Sequence, residues 1–250
     1  MIIENFISSL IFAKNKMQMK LIFTIFAVLI VTTILLTSNS YLSSIQLNLN
    51  QNEFVNGLLK YQLLALCISI VVLIATLKIT PDSRSLLKIG NLETLAVKEK
   101  WLGINGKTSW KSNAIQFALF ISLATGIFMF LAVKYTGSLP NFKWSFLPLI
   151  LLISFTNSFS EEIIYRFAIN GNLTSAAPKL TVLIISAILF GIPHYLGFPS
   201  GVMGVLMSGA LGYILSKATY ETKGIGIAWA IHFLQDIIIF TGLIMMNIKI

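Results

Sequence analysis

Seven long apolar stretches follow one another along this 250-residue chain, and they leave few folds open to it. They run from Leu21 to Thr37, Leu58 to Leu77, Ala114 to Val133, Trp144 to Ile169, Leu180 to Leu196, Gly201 to Ala218 and Gly224 to Met246. Each is long enough, or nearly so, to cross a hydrocarbon core of ~30 Å as a helix rising ~1.5 Å per residue. The runs are continuously apolar and do not alternate in short segments as barrel strands do, and a bilayer admits only helices and closed barrels. The expected fold is therefore an all-α polytopic membrane bundle of seven transmembrane helices, or eight if the weaker stretch Ile7 to Ala13 also crosses. Composition agrees: 56% of residues are hydrophobic, 11% are charged and the mean hydropathy is +0.85. A soluble domain carries roughly a quarter charged residues.

Residues 1–20, in which Lys14, Lys16 and Lys20 follow the weak apolar stretch, read as a cytoplasmic or interfacial N-terminal segment, and residues 21–250 as one membrane domain. Lys and Arg number three in the N-terminal segment, none in the 38–57 loop and seven in the 78–113 loop. The excess of basic residues on the cytoplasmic side places the N-terminus and the long loop there. Basic residues flanking spans also account for the formal net charge of +9 without invoking nucleic acid, so the expected partner surface is the lipid bilayer. A single cysteine, Cys67, excludes a disulfide framework and a cysteine-rich metal site. Lys-, Asn- and Ile-rich usage, with no targeting signal, suits a bacterial plasma membrane.

Of nine carboxylates, six (Glu4, Glu53, Asp82, Glu93, Glu99 and Glu221) fall in loops or near span ends, where water reaches them. The other three, Glu161, Glu162 and Asp236, lie inside apolar runs, as do both histidines, His194 and His232. An ionisable group at membrane depth costs roughly 2.5–3.5 kcal/mol, so an embedded one points to function. In Glu161-Glu162-Ile163-Ile164-Tyr165-Arg166 the helical partner of Arg166 is Glu162, four residues away, while Glu161 is turned by about 100° and left unpaired. Glu162 and Arg166 therefore read as a structural pair and Glu161 as a general base. His232 and Asp236 are also four apart, so the carboxylate can orient the imidazole. Pro193 in Phe190-Gly191-Ile192-Pro193-His194 predicts a kink beside His194. Depth is the difficulty. Counted from the cytoplasmic span ends, Glu161 and His232 lie ~12 Å in and His194 ~20 Å in.

These three motifs, in this order on successive apolar spans, resemble the CPBP intramembrane protease family, which includes type II CAAX prenyl endopeptidases and bacteriocin-processing and immunity proteins. The resemblance covers about residues 145–245. It implies a membrane endopeptidase in which Glu161 and His194 activate water, while His232 with Asp236 stabilises the oxyanion or completes a metal site. An ionised Asp236 can only accept hydrogen bonds, so it must be protonated, bind a metal or orient His232. If a divalent metal such as zinc is bound, Glu161, His194 and His232 are the ligand set; otherwise no cofactor is required. The implied partner is a peptide or membrane-protein substrate. Two other classes stay open: a proton- or ion-coupled transporter, whose helices also carry embedded carboxylates and histidines, and a non-catalytic bacteriocin-immunity or scaffold protein.

Overall fold

The computed structural model describes residues 2–139, 142–198 and 200–248; the side chains of residues 2–14 and of Lys16 lie outside that description, and with them the interfacial character of Ile7 to Ala13. Among the described residues the fold is all helical, with isolated bridges but no strand. Helix α1 spans Ile2–Leu36, so the N-terminal segment and the first apolar run form one unbroken helix. It is followed by α2 (Glu53–Ile79), α3 (Trp110–Tyr135), α4 (Trp144–Leu173), the shorter α5 (Lys179–Tyr195), α6 (Gly201–Thr222) and α7 (Gly226–Asn247). Six of these helices, all but α5, are long and apolar enough to cross a membrane. Large apolar side chains face outward along them, among them Ile22, Leu119, Phe120 and Phe130, each more than half exposed. A surface of that extent is stable only against lipid, and the chain is a multi-pass membrane protein.

The site is positioned by α4, α5 and α7. Helix α7 packs between α3 and α4, and α6 packs on both α5 and α7. The α5–α6 crossing depends on glycine. A Cβ at Gly191 would lie 2.8 Å from the Val205 carbonyl oxygen and 3.0 Å from the Gly209 Cα, both backbone atoms that cannot swing aside. Small residues at such crossings let helix backbones approach closely.

Two sequence expectations need correction here. Pro193 does not kink a continuing helix; the α-helical part of α5 ends at Gly191 and tightens into a 3-10 turn, Ile192–Tyr195, that carries His194. The proline ring and missing N–H prevent the α-helical ladder from continuing, and the turn closes instead through Leu196 N–H to the Pro193 carbonyl and Gly197 N–H to the His194 carbonyl. Glu221 is not water-exposed. Its side chain is 5% exposed and lies beside Lys217, itself 1% exposed, at 2.6 Å. Lys217 also reaches Glu99 at 3.0 Å and the Val97 carbonyl at 3.0 Å, while Glu221 accepts from Trp110, from the Val97 amide and from Lys179. These contacts fasten the long basic loop across the ends of α5 and α6. Burial alone would raise the Glu99 carboxyl, but hydrogen bonds from Tyr213, Lys217 and Trp101 outweigh it and hold the group below the usual carboxylate range.

Candidate active site

Helix α4 changes its winding at the double-glutamate motif. The α-helix Leu147–Glu162 passes through one π-helical turn, Ile163–Phe167, before resuming as Ala168–Leu173. Single π-turns interrupt α-helices mostly at functional sites. The turn buries Arg166 completely, with its Nε 3.4 Å from Glu162 Oε1. The guanidinium lies over the Phe190 ring, 3.8 Å from the centroid, and its three nitrogens form no hydrogen bond. The pairing of Arg166 with Glu162 is therefore a contact of charges supported by a cation–π stack.

The hydrogen bond of Glu162 goes elsewhere. Its Oε1 lies 2.9 Å from Nδ1 of His232 on α7. Glu162 thus links Arg166 to His232, a connection that residue spacing within one helix cannot reveal. With Nδ1 held, His232 turns Nε2 toward two further carboxylates, Glu161 Oε2 at 3.5 Å and Asp236 Oδ1 at 3.6 Å. Asp236 shares the helix face of His232 as its spacing predicts. Asn157, one turn before Glu161, donates to Glu161 Oε1 at 3.2 Å and to Asp236 Oδ2 at 3.1 Å. Glu161 Oε2 is buried and has no hydrogen-bond partner.

His194 faces the same space from α5. Its Nδ1 lies 2.7 Å from the Phe190 carbonyl oxygen. A carbonyl only accepts, so Nδ1 carries the proton and Nε2 of the neutral ring is left with its lone pair. The Phe190 ring contacts both imidazoles, with centroid distances of 4.8 Å to His194 and 5.5 Å to His232. The same ring covers the Arg166 guanidinium.

Glu161, His194, His232 and Asp236 line one cavity of about 260 Å³, with Asn157 and Gln235 in its wall. At ~30 Å³ per water that volume admits several waters or a short stretch of peptide. Counted from the ends of their own helices, Glu161 lies ~18 Å, His194 ~22 Å and His232 ~9 Å in, yet all three line one cavity, so the helix ends are staggered. Helix α7 begins against the backbone of residues 88–90, where a Cβ on Gly224 would lie 2.4 Å from the Gly90 nitrogen. Two members of this site carried no expectation from the sequence: Asn157, four residues before Glu161 in Thr156-Asn157-Ser158-Phe159-Ser160, and Gln235, a lone amide beside Asp236. Phe190 opens the motif that ends at His194, and the structure adds what its ring does, contacting Arg166 and both imidazoles.

Among the described residues no three His, Cys, Asp or Glu side chains form a group that could hold a metal ion. Both Nδ1 atoms are committed, to Glu162 and to the Phe190 carbonyl, so a metal here would draw on the two Nε2 atoms and Glu161.

Residues 143–238 match the family model described as Rce1-like, type II CAAX prenyl endopeptidase. The matched segment contains all three motifs and agrees with the resemblance to the CPBP intramembrane proteases. It supports a membrane-embedded protease acting on a peptide or protein as the coarse activity. No curated protein and no solved structure matches the chain.

Proposed function

We propose that this protein is an intramembrane endopeptidase that hydrolyses a peptide bond of a membrane-associated peptide or protein, with water activated by Glu161 and His194. The observation that carries the reading is that two basic atoms without a hydrogen bond face one cavity: Glu161 Oε2, buried and 3.5 Å from His232 Nε2, and His194 Nε2, left free by the bond at Nδ1. A water between them loses a proton to Glu161 while its oxygen attacks the carbonyl carbon, and the same carboxyl returns the proton to the leaving amine. His232, its Nδ1 anchored on Glu162, presents Nε2 to the cavity. Carboxylates facing both of its nitrogens allow both to act as donors, so Nε2–H is available to the developing oxyanion. Asp236 accepts from Asn157 and faces His232, which favours an orienting role for it over direct oxyanion donation. The substrate we infer is a peptide precursor, leader or membrane protein in a bacterial plasma membrane, with the N-terminus and the 78–113 loop cytoplasmic.

The test is hydrolysis in proteoliposomes of two probes: a quenched-fluorescent prenylated CAAX-type peptide and a quenched-fluorescent unmodified transmembrane precursor peptide. Glu161→Gln and His194→Ala are each expected to lower cleavage by roughly 10²–10⁴-fold with thermal unfolding in detergent unchanged. Metal analysis of the purified protein accompanies it. Folded, inserted variants that keep full cleavage overturn the proposal. Ion flux through the proteoliposomes, or a cellular phenotype untouched by these substitutions, points to the transporter or the non-catalytic partner instead.

A further inference from the structure

Helix α2 lies wholly outside the segment that carries the protease motifs, yet it sends one polar side chain into the site's supporting contacts. Gln62, 4% exposed on α2, donates from Nε2 to the Asn157 side-chain oxygen at 3.1 Å. The Gln62 oxygen in turn accepts from the Thr156 hydroxyl at 3.0 Å. An amide buried at membrane depth without partners costs several kcal/mol, so its retention requires a compensating role.

The geometry points to Gln62 and Asn157 as positioning residues that set the two carboxylates of the site, Glu161 and Asp236, through a directional chain from α2. The direction is dictated by chemistry. Ionised carboxylates only accept, so the Asn157 NH₂ must face them and its oxygen must face Gln62, whose NH₂ donates to it; that leaves the Gln62 oxygen toward the Thr156 hydroxyl, which also lies within reach of the Leu152 and Ile153 carbonyls. The single Asn157 NH₂ group meets Glu161 Oε1 and Asp236 Oδ2. That leaves Glu161 Oε2, the proposed base atom, without a hydrogen bond and 3.5 Å from His232 Nε2, and it turns Asp236 Oδ1 toward the same nitrogen. Two carboxylates that both approach one imidazole nitrogen would repel each other, and a shared donor fixed from a third helix holds them in register.

The role rests on the endopeptidase reading of the site, but its geometry is measurable without turnover. The chain has two histidines, so the full-length protein, labelled with ¹⁵N-histidine and purified without a histidine tag, gives imidazole signals from His194 and His232 alone. Gln62→Met and Asn157→Leu keep side-chain volume close to the original while removing the hydrogen bonds; Asn157→Asp, which substitutes an acceptor for the donor, is the second variant should Asn157→Leu not fold. Each is expected to shift the His232 Nε2 resonance and leave His194 in place, and the Gln62→Met shift should vanish when Asn157→Leu is already present. In the cleavage assay on the prenylated CAAX-type peptide, kcat should fall by up to about 10²-fold with KM little changed, the scale of a misplaced catalytic group. Unchanged His232 signals overturn the inference, as do shifts of both histidines accompanied by a lowered unfolding temperature, which would mean general loosening. If the wild type cleaves neither probe, the endopeptidase reading fails while the histidine spectra still decide the positioning role.

Discussion

Replacing Glu162 by glutamine removes one negative charge at nearly constant volume, and the site geometry makes its consequence calculable. Arg166 is fully buried, its closest charged contact is Glu162 at 3.4 Å, and its nitrogens have no hydrogen-bond partner. The Phe190 ring covers one face of the guanidinium but supplies only the weaker cation–π attraction. Glu162→Gln therefore removes the nearest counter-charge of a buried cation and leaves only the weaker attraction of Glu161, a change that costs up to about 3–5 kcal/mol, or roughly two to three and a half orders of magnitude in the folding equilibrium. The same substitution weakens the 2.9 Å bond to His232 Nδ1. Adding Arg166→Met removes the uncompensated charge, so the double variant should regain most of the lost stability while cleavage stays low, because His232 remains unanchored. The assay is equilibrium or thermal unfolding in detergent micelles on the wild type, both single variants and the double variant, combined as a double-mutant cycle. A cost below about 1 kcal/mol for Glu162→Gln, or a double variant as unstable as the sum of the singles, would refute the argument that Glu162 is the counter-charge that keeps Arg166 buried.

Gly191→Ala should separate α5 from α6, because its Cβ meets backbone at 2.8 Å; a loss of about 1–3 kcal/mol in unfolding measurements and reduced cleavage are expected, since His194 follows three residues later. Lys217→Met strips Glu99 and Glu221 of their shared cation, and faster hydrogen exchange at the Val97, Glu99 and Ile104 amides is the outcome to measure. The Glu99 carboxyl is held below its ordinary value of 4.5. Its contribution is therefore complete above that value and is lost as pH falls through the lower folded-state value, so the protection factors of the loop amides, taken relative to the intrinsic exchange rate at each pH, should stay constant from about pH 5 to 7 and fall in acid. Phe190→Leu removes the ring that covers Arg166 and contacts both imidazoles; the ¹⁵N-histidine spectrum should then change at His194 and His232 together.

The apolar runs, the embedded Glu161, Glu162, His194, His232 and Asp236, and the shared face of His232 and Asp236 were all legible in the chain itself. Apolar length and the expense of a charge in hydrocarbon act locally, so they leave their mark on consecutive residues. Helix α5 was legible as an apolar run and Pro193 as a break in it, but the form of the break, a 3-10 turn that ends the α-helix, and the close crossing of Gly191 on Val205 and Gly209 were not. The bond from Glu162 to His232, the stack of Arg166 on Phe190 and the reach of Gln62 to Asn157 join residues 70, 24 and 95 positions apart. No periodicity encodes such pairs. The pair of Glu162 and Arg166 expected from helical spacing is present at 3.4 Å, within a π-turn and with His232 as a further partner of Glu162 that the spacing did not carry. By itself the sequence determined that the chain is a membrane helix bundle and which side chains are too costly to be there without a use. Tertiary packing decided which atom of each faces which neighbour, because hydrogen-bond direction and charge pairing depend on ångström-scale placement across helices.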